Sequence, residues 1–473
     1  MKKIMLGNVT GISRYQNFNL TTVFGKAEIL AFALLIGIVV SFLIPPFQSP
    51  DEFDHIKRAY LLSNGQLLLE SPQNLSSGGK IDSGLLSYMK AFEDLPAKEK
   101  NKVTRERMEE SKKERWTGIS NFSPAPGTGY YLPLIYFPQT LGLLIGKSLD
   151  LTIDHSYRLV RLISLSISLA ILGISIRIFP INFLALAFLA LPMTVFQLVS
   201  ASIDGTSTAI GILSISIFMR AADKRLIYPP WASWVLAISL LLLVTSRAHL
   251  LPLVGMPLVV FFLRKKKTDL FLFFAVTLFT VIWLYIALHH TVDLREGRPG
   301  KNYTVIYIIS HYLSNPGAFF SVIWSTLTDP EIQRFYQVSF IGVLGWLEVS
   351  LERWFYNLSI LLCICMGILS IRWNNIKSDW PARACLLIFS IISTLTVFFL
   401  LLVSWTAHPA VIINGVQGRY FLMPFMLLAY SLSGSTNAFS SRVKYVALPL
   451  LYVYCLIESL VIPEVLLYRY FLG

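Results

Sequence analysis

A group of acidic residues and a histidine follows directly after the first apolar run of the chain. Residues 51–55 read Asp-Glu-Phe-Asp-His, and a basic pair comes shortly after them. A carboxylate beside the hydrocarbon boundary of a membrane is costly to desolvate, so it is usually paired or functional. Such a carboxylate can act as a general base toward a hydroxyl group. The alternative is a solvated loop start that only ends the helix. The candidates in this acidic motif are Asp51, Glu52, Asp54, His55 and Arg58.

Polar residues also stand where three later apolar runs end or begin. Asp204 follows the third run, Arg247 follows the fifth, and Arg419 opens the tenth. A guanidinium group in such a place suits an anionic phosphate. The structural alternatives are a helix N-cap for Asp204, an interfacial snorkelling side chain for Arg247, and the boundary of a glycine turn for Arg419. Further candidates for binding a substrate beside them are His249, Gln417 and Tyr420.

Two aromatic residues in the regions between the runs complete the candidate set. Tyr130 begins a half-apolar stretch, and Trp346 follows a glycine in a later polar region. An interfacial anchor is the structural alternative for Trp346, because tryptophan is enriched at membrane–water boundaries. Taken together, the candidates place acids and two arginines at span ends on one face, which is the layout expected for chemistry on a lipid-linked phosphate.

The composition is that of a chain built for a lipid environment. Of the 473 residues, 55% are hydrophobic and 14% are charged, whereas soluble domains have roughly 25% charged residues. Long unbroken apolar runs predict helices rather than a β-barrel. The formal net charge of +13 comes in short basic clusters between the runs, which is typical of topology signals and not of nucleic-acid binding. All four cysteines lie in apolar segments, so we expect no disulfide and no zinc site.

Eleven apolar runs predict an all-α polytopic membrane protein, with about eleven transmembrane helices in a single integral domain. The predicted segments are a retained first span at 27–45, a large outer loop at 46–156 with interfacial helices, spans 2–7 at 157–288, a second outer loop at 289–353, and spans 8–11 at 354–462. The later spans are predicted near 157–178, 181–200, 206–220, 231–247, 250–263, 269–288, 354–371, 384–405, 420–433 and 445–462.

The half-apolar stretch at 130–149 decides the predicted topology. Its helix breakers and its aromatic residues favour a helix that lies in the interface rather than a span. With that choice every strong basic cluster, including the run at 264–267, falls on the side of the N-terminus. The positive-inside rule then predicts an inner-membrane protein with a cytoplasmic N-terminus, whose candidate residues face outward.

Six short motifs, spread over most of the chain to about residue 425, resemble a known superfamily. They read Pro45-Pro46 with Ser49-Pro50-Asp51-Glu52, Asp54-His55-x-x-Arg58-Ala59-Tyr60, Tyr130-Tyr131-x-Pro133, Pro192 with Ser200-x-x-x-Asp204, Gly342-x-x-Gly345-Trp346, and Gly418-Arg419-Tyr420-Phe421-x-x-Pro424. The pattern resembles the GT-C superfamily of membrane glycosyltransferases. More closely, it is similar to a bacterial branch of predicted membrane proteins of unknown function.

This resemblance implies a role for several of the candidates. In GT-C enzymes that act outside the membrane, an acid in the first outer loop is the catalytic group, and the donor is a polyprenyl-linked sugar. Asp51 matches the position of that acid, as a general base, with Glu52 as its neighbour in the motif. Asp204 matches the second acid of the superfamily. Because the motif continues to Asp54, that residue competes with Asp51 for the role of the base.

The function implied is the transfer of a sugar from undecaprenyl-phosphate-sugar to a cell-envelope glycan, such as O-antigen or another surface polysaccharide. Arg247 and Arg419 are then the candidates for holding the donor phosphate. The partners are the lipid-linked donor, the glycan acceptor and the lipid bilayer, without nucleic acid. Metal dependence stays open, because Asp51, Glu52 and His55 could bind a divalent cation, whereas many enzymes of the superfamily need none. The alternatives are a transporter or flippase of lipid-linked sugars and an O-antigen polymerase-like enzyme.

Overall fold

The fold is built almost entirely from helices. The computed structural model describes residues 31, 34–294, 303, 305–371, 379–432 and 441–472, and of residues 441 and 442 it describes the backbone alone. Residues 1–26, predicted to be cytoplasmic, and the first part of the span predicted at 27–45 lie outside the described residues. The helices are α1 Leu34–Leu43, α2 Glu52–Ser63, α3 Ser83–Lys90, α4 Arg105–Ser111, α5 Phe137–Ser148, α6 Ile153–Ile178, α7 Phe183–Leu189, α8 Pro192–Val199, α9 Asp204–Ala222, α10 Pro230–Val244, α11 Met256–Arg264, α12 Lys267–His290, α13 Val305–Ser314, α14 Pro316–Thr328, α15 Pro330–Gly342, α16 Arg353–Ser370, α17 Trp380–Ser404, α18 Leu422–Leu432 and α19 Ser441–Tyr470.

Six helices among the described residues are long and apolar enough to cross a membrane, namely α6, α9, α12, α16, α17 and α19. A helix rises 1.5 Å per residue, so about 20 residues are needed to cross a hydrocarbon core of about 30 Å. The apolar helices α1, α10 and α13 are shorter as described. The predicted all-α membrane class agrees with this architecture, whereas the number of eleven spans stays a prediction.

The third predicted span, 181–200, forms two short helices instead of one. The helix α7 ends at Leu189 and α8 begins at Pro192, with extended backbone at Leu191 between them. Proline disfavours a helical conformation at the residue before it, so a new helix starts at this point. Both helices are buried among their neighbours. This apolar run therefore passes through the interior as a broken helix.

Two other predicted spans begin with a 3₁₀ helix. The segment Ala248–Gly255 leads into α11, and Gly418–Phe421 leads into α18. The first of these contains Pro252, which cannot donate a backbone hydrogen bond. These tight turns fall where the sequence changes from polar to apolar, and they fix the backbone beside two of the candidate arginines.

The helix α9 lies at the centre of the bundle and defines its two ends. Asp204 is in its first turn and Arg220 in its last, about 24 Å apart along the helix axis. Arg264 donates to the carbonyls of Ala221 and Arg220, and the ion pair between Asp223 and Arg225 lies just beyond. One end of the bundle is therefore basic, and Asp204 lies at the opposite end.

The region between α1 and α6 is a compact layer of short elements. In this layer, strands β1 (Gly78–Asp82) and β2 (Ser120–Pro124) pair antiparallel. A second antiparallel pair, β3 (Val343–Leu344) and β4 (Val349–Ser350), lies elsewhere in the chain, in the region predicted as the second outer loop. The sequence did not predict these strands. The helix α5 has 12 residues, about 18 Å, which is too short to cross a membrane alone. The interfacial position of 130–149 stays a prediction.

Two glycines allow α5 to pack closely against α6. A Cβ atom at Gly142 would lie 2.7 Å from the Cα of Val160, and one at Gly146 would lie 2.4 Å or more from atoms of Ser156. Small residues four positions apart let helix backbones approach each other. Although the sequence suggested that Gly142 breaks a helix, it lies inside α5 and forms the contact between the two helices.

We expect the change Gly142→Ala to destabilise the protein and the change Gly173→Ala to leave it unharmed. The first substitution forces α5 away from the α6 backbone, and overpacking of this kind costs roughly 1–3 kcal/mol. Gly173 lies inside α6 with no atom within 4 Å of an added Cβ, so alanine there only favours the helix. Thermal unfolding midpoints of the two purified variants in detergent test this. Equal midpoints would contradict the close packing.

Candidate functional site

Glu52 forms a buried ion pair with Arg161 of α6. Both side chains are almost wholly inaccessible to solvent, and Nη2 of Arg161 lies 3.2 Å from Oε2 of Glu52. The same carboxylate accepts hydrogen bonds from the backbone N–H of Ser49, at 3.1 Å, and of Ala201, at 2.6 Å. Glu52 thus connects the start of α2, the middle of the bundle and the turn before α9.

Arg161 also holds the end of the first apolar helix. Its guanidinium donates to the carbonyl oxygens of Ser41, Ile44 and Pro45, at 2.8–3.2 Å. The last carbonyls of a helix have no partner within the helix, so a side-chain donor there stabilises its end. Arg161 therefore fixes where α1 stops and where the acidic motif starts.

Asp51 lies at the N-cap of α2 and its side chain is open to solvent. Its backbone is left-handed, with φ of 62°, and its carboxylate caps no N–H of the helix. The side chain is 59% exposed, and Oδ2 lies 3.6 Å from Nη2 of Arg419. Among the acids of the motif, Asp51 thus combines exposure with a contact to one of the candidate arginines.

Asp204 joins the two candidate arginines. Its Oδ1 pairs with Nη2 of Arg247, and its Oδ2 lies 3.4 Å from Nη1 of Arg419. The hydroxyl of Ser202 also donates to Oδ2, at 3.3 Å. Because Asp51 contacts Arg419 as well, residues from four distant parts of the sequence form one cluster of two acids and two guanidinium groups.

His55 forms the inner wall of this cluster. Its Nδ1 lies 2.7 Å from the hydroxyl of Tyr136, and its ring stacks on that of Tyr131. Burial lowers the pKa of His55 to about 4, against the opposing effect of Asp51 and Asp204. Burial raises the pKa of Tyr131 to about 12. Both rings are therefore neutral near pH 7, and they line the cluster without adding charge.

The two 3₁₀ segments and Gln417, which directly precedes the second of them, supply the rest of the cluster. Gln417 accepts a hydrogen bond from Nε of Arg419 at 2.6 Å, and the ring of Tyr420 lies 5.3 Å from the same guanidinium. The ring of His249 lies 6.5 Å from that of Tyr420. A Cβ atom at Gly418 would collide with the backbone of Phe340 in α15, so glycine is required for this approach. Arg419 is thus held by Gln417, by the ring of Tyr420 and by Asp204.

Besides Glu52, four predicted candidates lie outside the cluster. Arg58 is buried and donates to the carbonyls of Gln66 and Leu67, so it stabilises the turn after α2. Lys57 forms an ion pair with Asp54 at 3.4 Å. The carbonyl of Tyr130 accepts from the indole of Trp283, and the indole of Trp346 donates to the carbonyl of Phe47. The sequence could not give the direction of these side chains.

Sequence reasoning missed three residues that shape the site, namely Arg161, Tyr131 and Tyr136. A signal for Arg161 was present, because an arginine inside an apolar helix must face protein or a cavity. Tyr131 stood in a motif without an assigned role, and Tyr136 counted only as an interfacial aromatic.

The three acids of the motif point in different directions. Glu52 forms an ion pair with Arg161, Asp51 contacts Arg419, and Asp54 forms an ion pair with Lys57. In the part of the chain that the structure describes, no group of three or more histidine, cysteine, aspartate or glutamate side chains is placed to hold a metal ion. The cluster instead has an accessible carboxylate beside two fixed guanidinium groups. The guanidinium groups are suited to bind an anion, and the carboxylate is suited to accept a proton from a neighbouring group.

A family model described as "Predicted membrane protein (DUF2142)" matches residues 34–429. The match includes Asp51, Asp204, Arg247 and Arg419, and it ends before α19 begins. No curated protein and no solved structure matches the chain.

We expect the change Glu52→Gln to destabilise the protein strongly. It leaves the Arg161 charge buried without its counter-charge, and breaking such a pair costs roughly 3–5 kcal/mol. The matched control is Arg115→Ala, because Arg115 and Asp150 form a pair that is largely exposed and such pairs contribute about 1 kcal/mol or less. Unfolding midpoints in detergent measure both. A Glu52→Gln protein as stable as the control would rule out the structural role of the pair.

We also expect stability to fall between pH 6.5 and pH 4 because of His55. Its pKa in the folded protein, about 4, is below the ordinary value of 6.5, so in this range the unfolded chain binds a proton that the folded protein does not. The difference corresponds to roughly 3 kcal/mol, lost as the pH falls.

The effect of His55 is measured by comparing unfolding midpoints of wild type and His55→Gln from pH 7.5 to pH 4. The variant should show a shallower decrease with falling pH. The control His155→Gln removes an exposed histidine and should keep the slope of the wild type. Parallel curves for wild type and His55→Gln would show that burial of this ring has no effect on pH dependence.

Proposed function

The chain belongs to the DUF2142 family of predicted membrane proteins, and we propose that it is a membrane glycosyltransferase. It transfers a sugar from undecaprenyl-phosphate-sugar to a cell-envelope glycan, an O-antigen or another surface polysaccharide. The fold is of the GT-C type, and the reaction takes place on the periplasmic or outer face of the bacterial inner membrane.

The observation that carries this proposal is the pairing of Arg247 and Arg419 by Asp204, next to the exposed carboxylate of Asp51. A lipid phosphodiester has one negative charge, and the lipid phosphate that leaves after sugar transfer has up to two. Guanidinium groups held in advance at the leaving oxygen stabilise this growing charge most in the transition state. The two arginines are therefore suited to the leaving phosphate.

In the proposed reaction Asp51 is the general base. It takes the proton of an acceptor hydroxyl as the oxygen bonds to the anomeric carbon. The bond from that carbon to the phosphate oxygen breaks, and its electron pair goes to the phosphate. Asp204 is less suited to this role, because both of its oxygens already accept from guanidinium groups. Asp54 stays the second candidate for the base.

The difference between the two ends of the bundle supports the proposed location outside the cytoplasm. The clusters that contain Arg220, Arg225 and Arg264 lie at the end away from Asp204. Basic residues favour the cytoplasmic side, so the acids and the paired arginines face outward. Nucleotide-linked sugars are cytoplasmic, and an outward site must therefore use a sugar carried across on a lipid.

We expect the change Asp51→Asn to abolish transfer while leaving donor binding intact. Loss of a general base costs roughly 10²–10⁴-fold in rate, whereas the contacts of Asp204 with the arginines remain. The experiment measures the transfer of radiolabelled sugar from synthetic polyprenyl-phosphate donors to envelope glycan by the purified protein, and donor affinity in parallel. The control is Asp150→Asn, an exposed acid paired with Arg115, which should behave as the wild type.

Equal transfer by wild type and Asp51→Asn would reject Asp51 as the base, and Asp54→Asn would be measured next. A folded wild-type protein that transfers no sugar from any donor, but moves labelled lipid-linked sugar across vesicle membranes, would reject the enzyme and support the transporter. Joining of lipid-linked repeat units without use of single-sugar donors would support the polymerase-like enzyme.

A further inference from the structure

A second concave surface lies on the other side of α2. It is a cleft of about 500 Å³ whose lining includes Phe53, Lys57, Leu86, Lys90, Glu93 and Trp346. Successive residues of a helix are about 100° apart, so Phe53 and Lys57 share a face of α2 while His55 points to the opposite one. The cleft and the acid–arginine cluster are therefore separated by a single helix.

The aromatic side of the cleft is fixed in place. The indole N–H of Trp346 donates to the carbonyl of Phe47 at 3.0 Å, and the ring of Phe53 stacks on that of Phe47 with centroids 4.8 Å apart. The rings of Phe53 and Trp346 are 6.2 Å apart. With its polar atom bonded to the backbone, the indole presents apolar ring surface to the cleft.

The loop that carries Trp346 is held by a further ion pair. Nη2 of Arg469, near the end of α19, lies 2.7 Å from Oε1 of Glu348, and the pair is largely buried. The other oxygen of Glu348 accepts from the backbone N–H of Ala97, and Arg469 also donates to the carbonyl of Leu95. Since Pro96 lines the cleft too, its two walls are connected through this pair.

Charged groups surround the aromatic surface. Lys57 pairs with Asp54 and donates to the carbonyl of Pro124, while Lys90 and Glu93 are exposed. Apolar ring faces with a rim of hydrogen-bonding groups match a sugar, which has C–H groups on one face and hydroxyls at its edges. A lipid chain would require an apolar rim, and the charged side chains here would be costly against it.

We propose that this cleft binds the acceptor glycan, an inference that rests on the proposed glycosyltransferase function. Asp54 is on the rim through its pair with Lys57, and Asp51 is at the N-terminal end of the same helix. A chain of sugars in the cleft thus extends to the acids of the motif, with the donor phosphate on the far side of α2.

The first experiment measures glycan binding without turnover. Wild-type protein in lipid nanodiscs is titrated with fluorescently labelled oligosaccharides released from the envelope polysaccharide of the encoding organism. Leu86→Trp fills the cleft and should weaken binding by about tenfold or more. Lys90→Ala changes an exposed rim residue without disturbing the fold, and should weaken binding several-fold. Leu75→Trp, at a leucine that is 48% exposed in the same outer region, is the matched control and should bind as the wild type.

Weakened binding in Leu86→Trp and Lys90→Ala, with normal binding in Leu75→Trp, supports the cleft as the glycan site. No binding by the wild type, or equal binding by all variants, overturns it. The transfer assay separates the two proposals. Binding in the cleft without any transfer leaves the cleft standing and rejects the transferase. Transfer with an unchanged acceptor KM in Leu86→Trp leaves the transferase standing and rejects the cleft.

Discussion

The buried pair of Glu52 and Arg161 is the interaction on which the rest of the site depends. Two charges removed from water need each other and their full set of hydrogen bonds, and here those bonds reach the end of α1, the start of α2 and the turn before α9. Asp51 is next to Glu52 in the chain, and Asp204 lies three residues after Ala201. One desolvated pair thus sets the distance between the exposed acid and the acid that holds the arginines.

Charge balance explains how two arginines can stand side by side at the end of the bundle. Asp204 and Asp51 provide two negative charges for the guanidinium groups of Arg247 and Arg419, and His55 is neutral. The two positive and two negative charges of the cluster cancel. The two guanidinium groups can therefore lie close together with little electrostatic repulsion. In the proposed reaction the donor phosphate competes with Asp51 for Arg419 and frees that carboxylate as it binds.

The sequence predicted that residues at the ends of several apolar runs lie at the same end of the helices, but not in which direction their side chains point. Asp204, Arg247 and Arg419 follow or open apolar runs, and hydrocarbon boundaries bring such positions to one level. Position along the chain does not say which way a side chain points around a helix, so Arg58 and Trp346 could not be separated from the cluster. The broken run at 181–200 was missed because a single proline inside an apolar stretch does not reveal whether the helix bends or restarts. The sheet of β1 and β2 depends on pairing across about 40 residues, which no local pattern reveals. The strands β3 and β4 have two residues each, which is too short for an alternating pattern to show.

The left-handed backbone of Asp51 has a consequence for how this position can change. Glycine adopts such a conformation freely, whereas an ordinary side chain costs roughly 1–2 kcal/mol, and aspartate is among the few that tolerate it. Folding alone would therefore favour glycine at position 51. Under the proposed function, the most stable protein and the active one place opposite demands on this residue, because the transfer step requires its carboxylate.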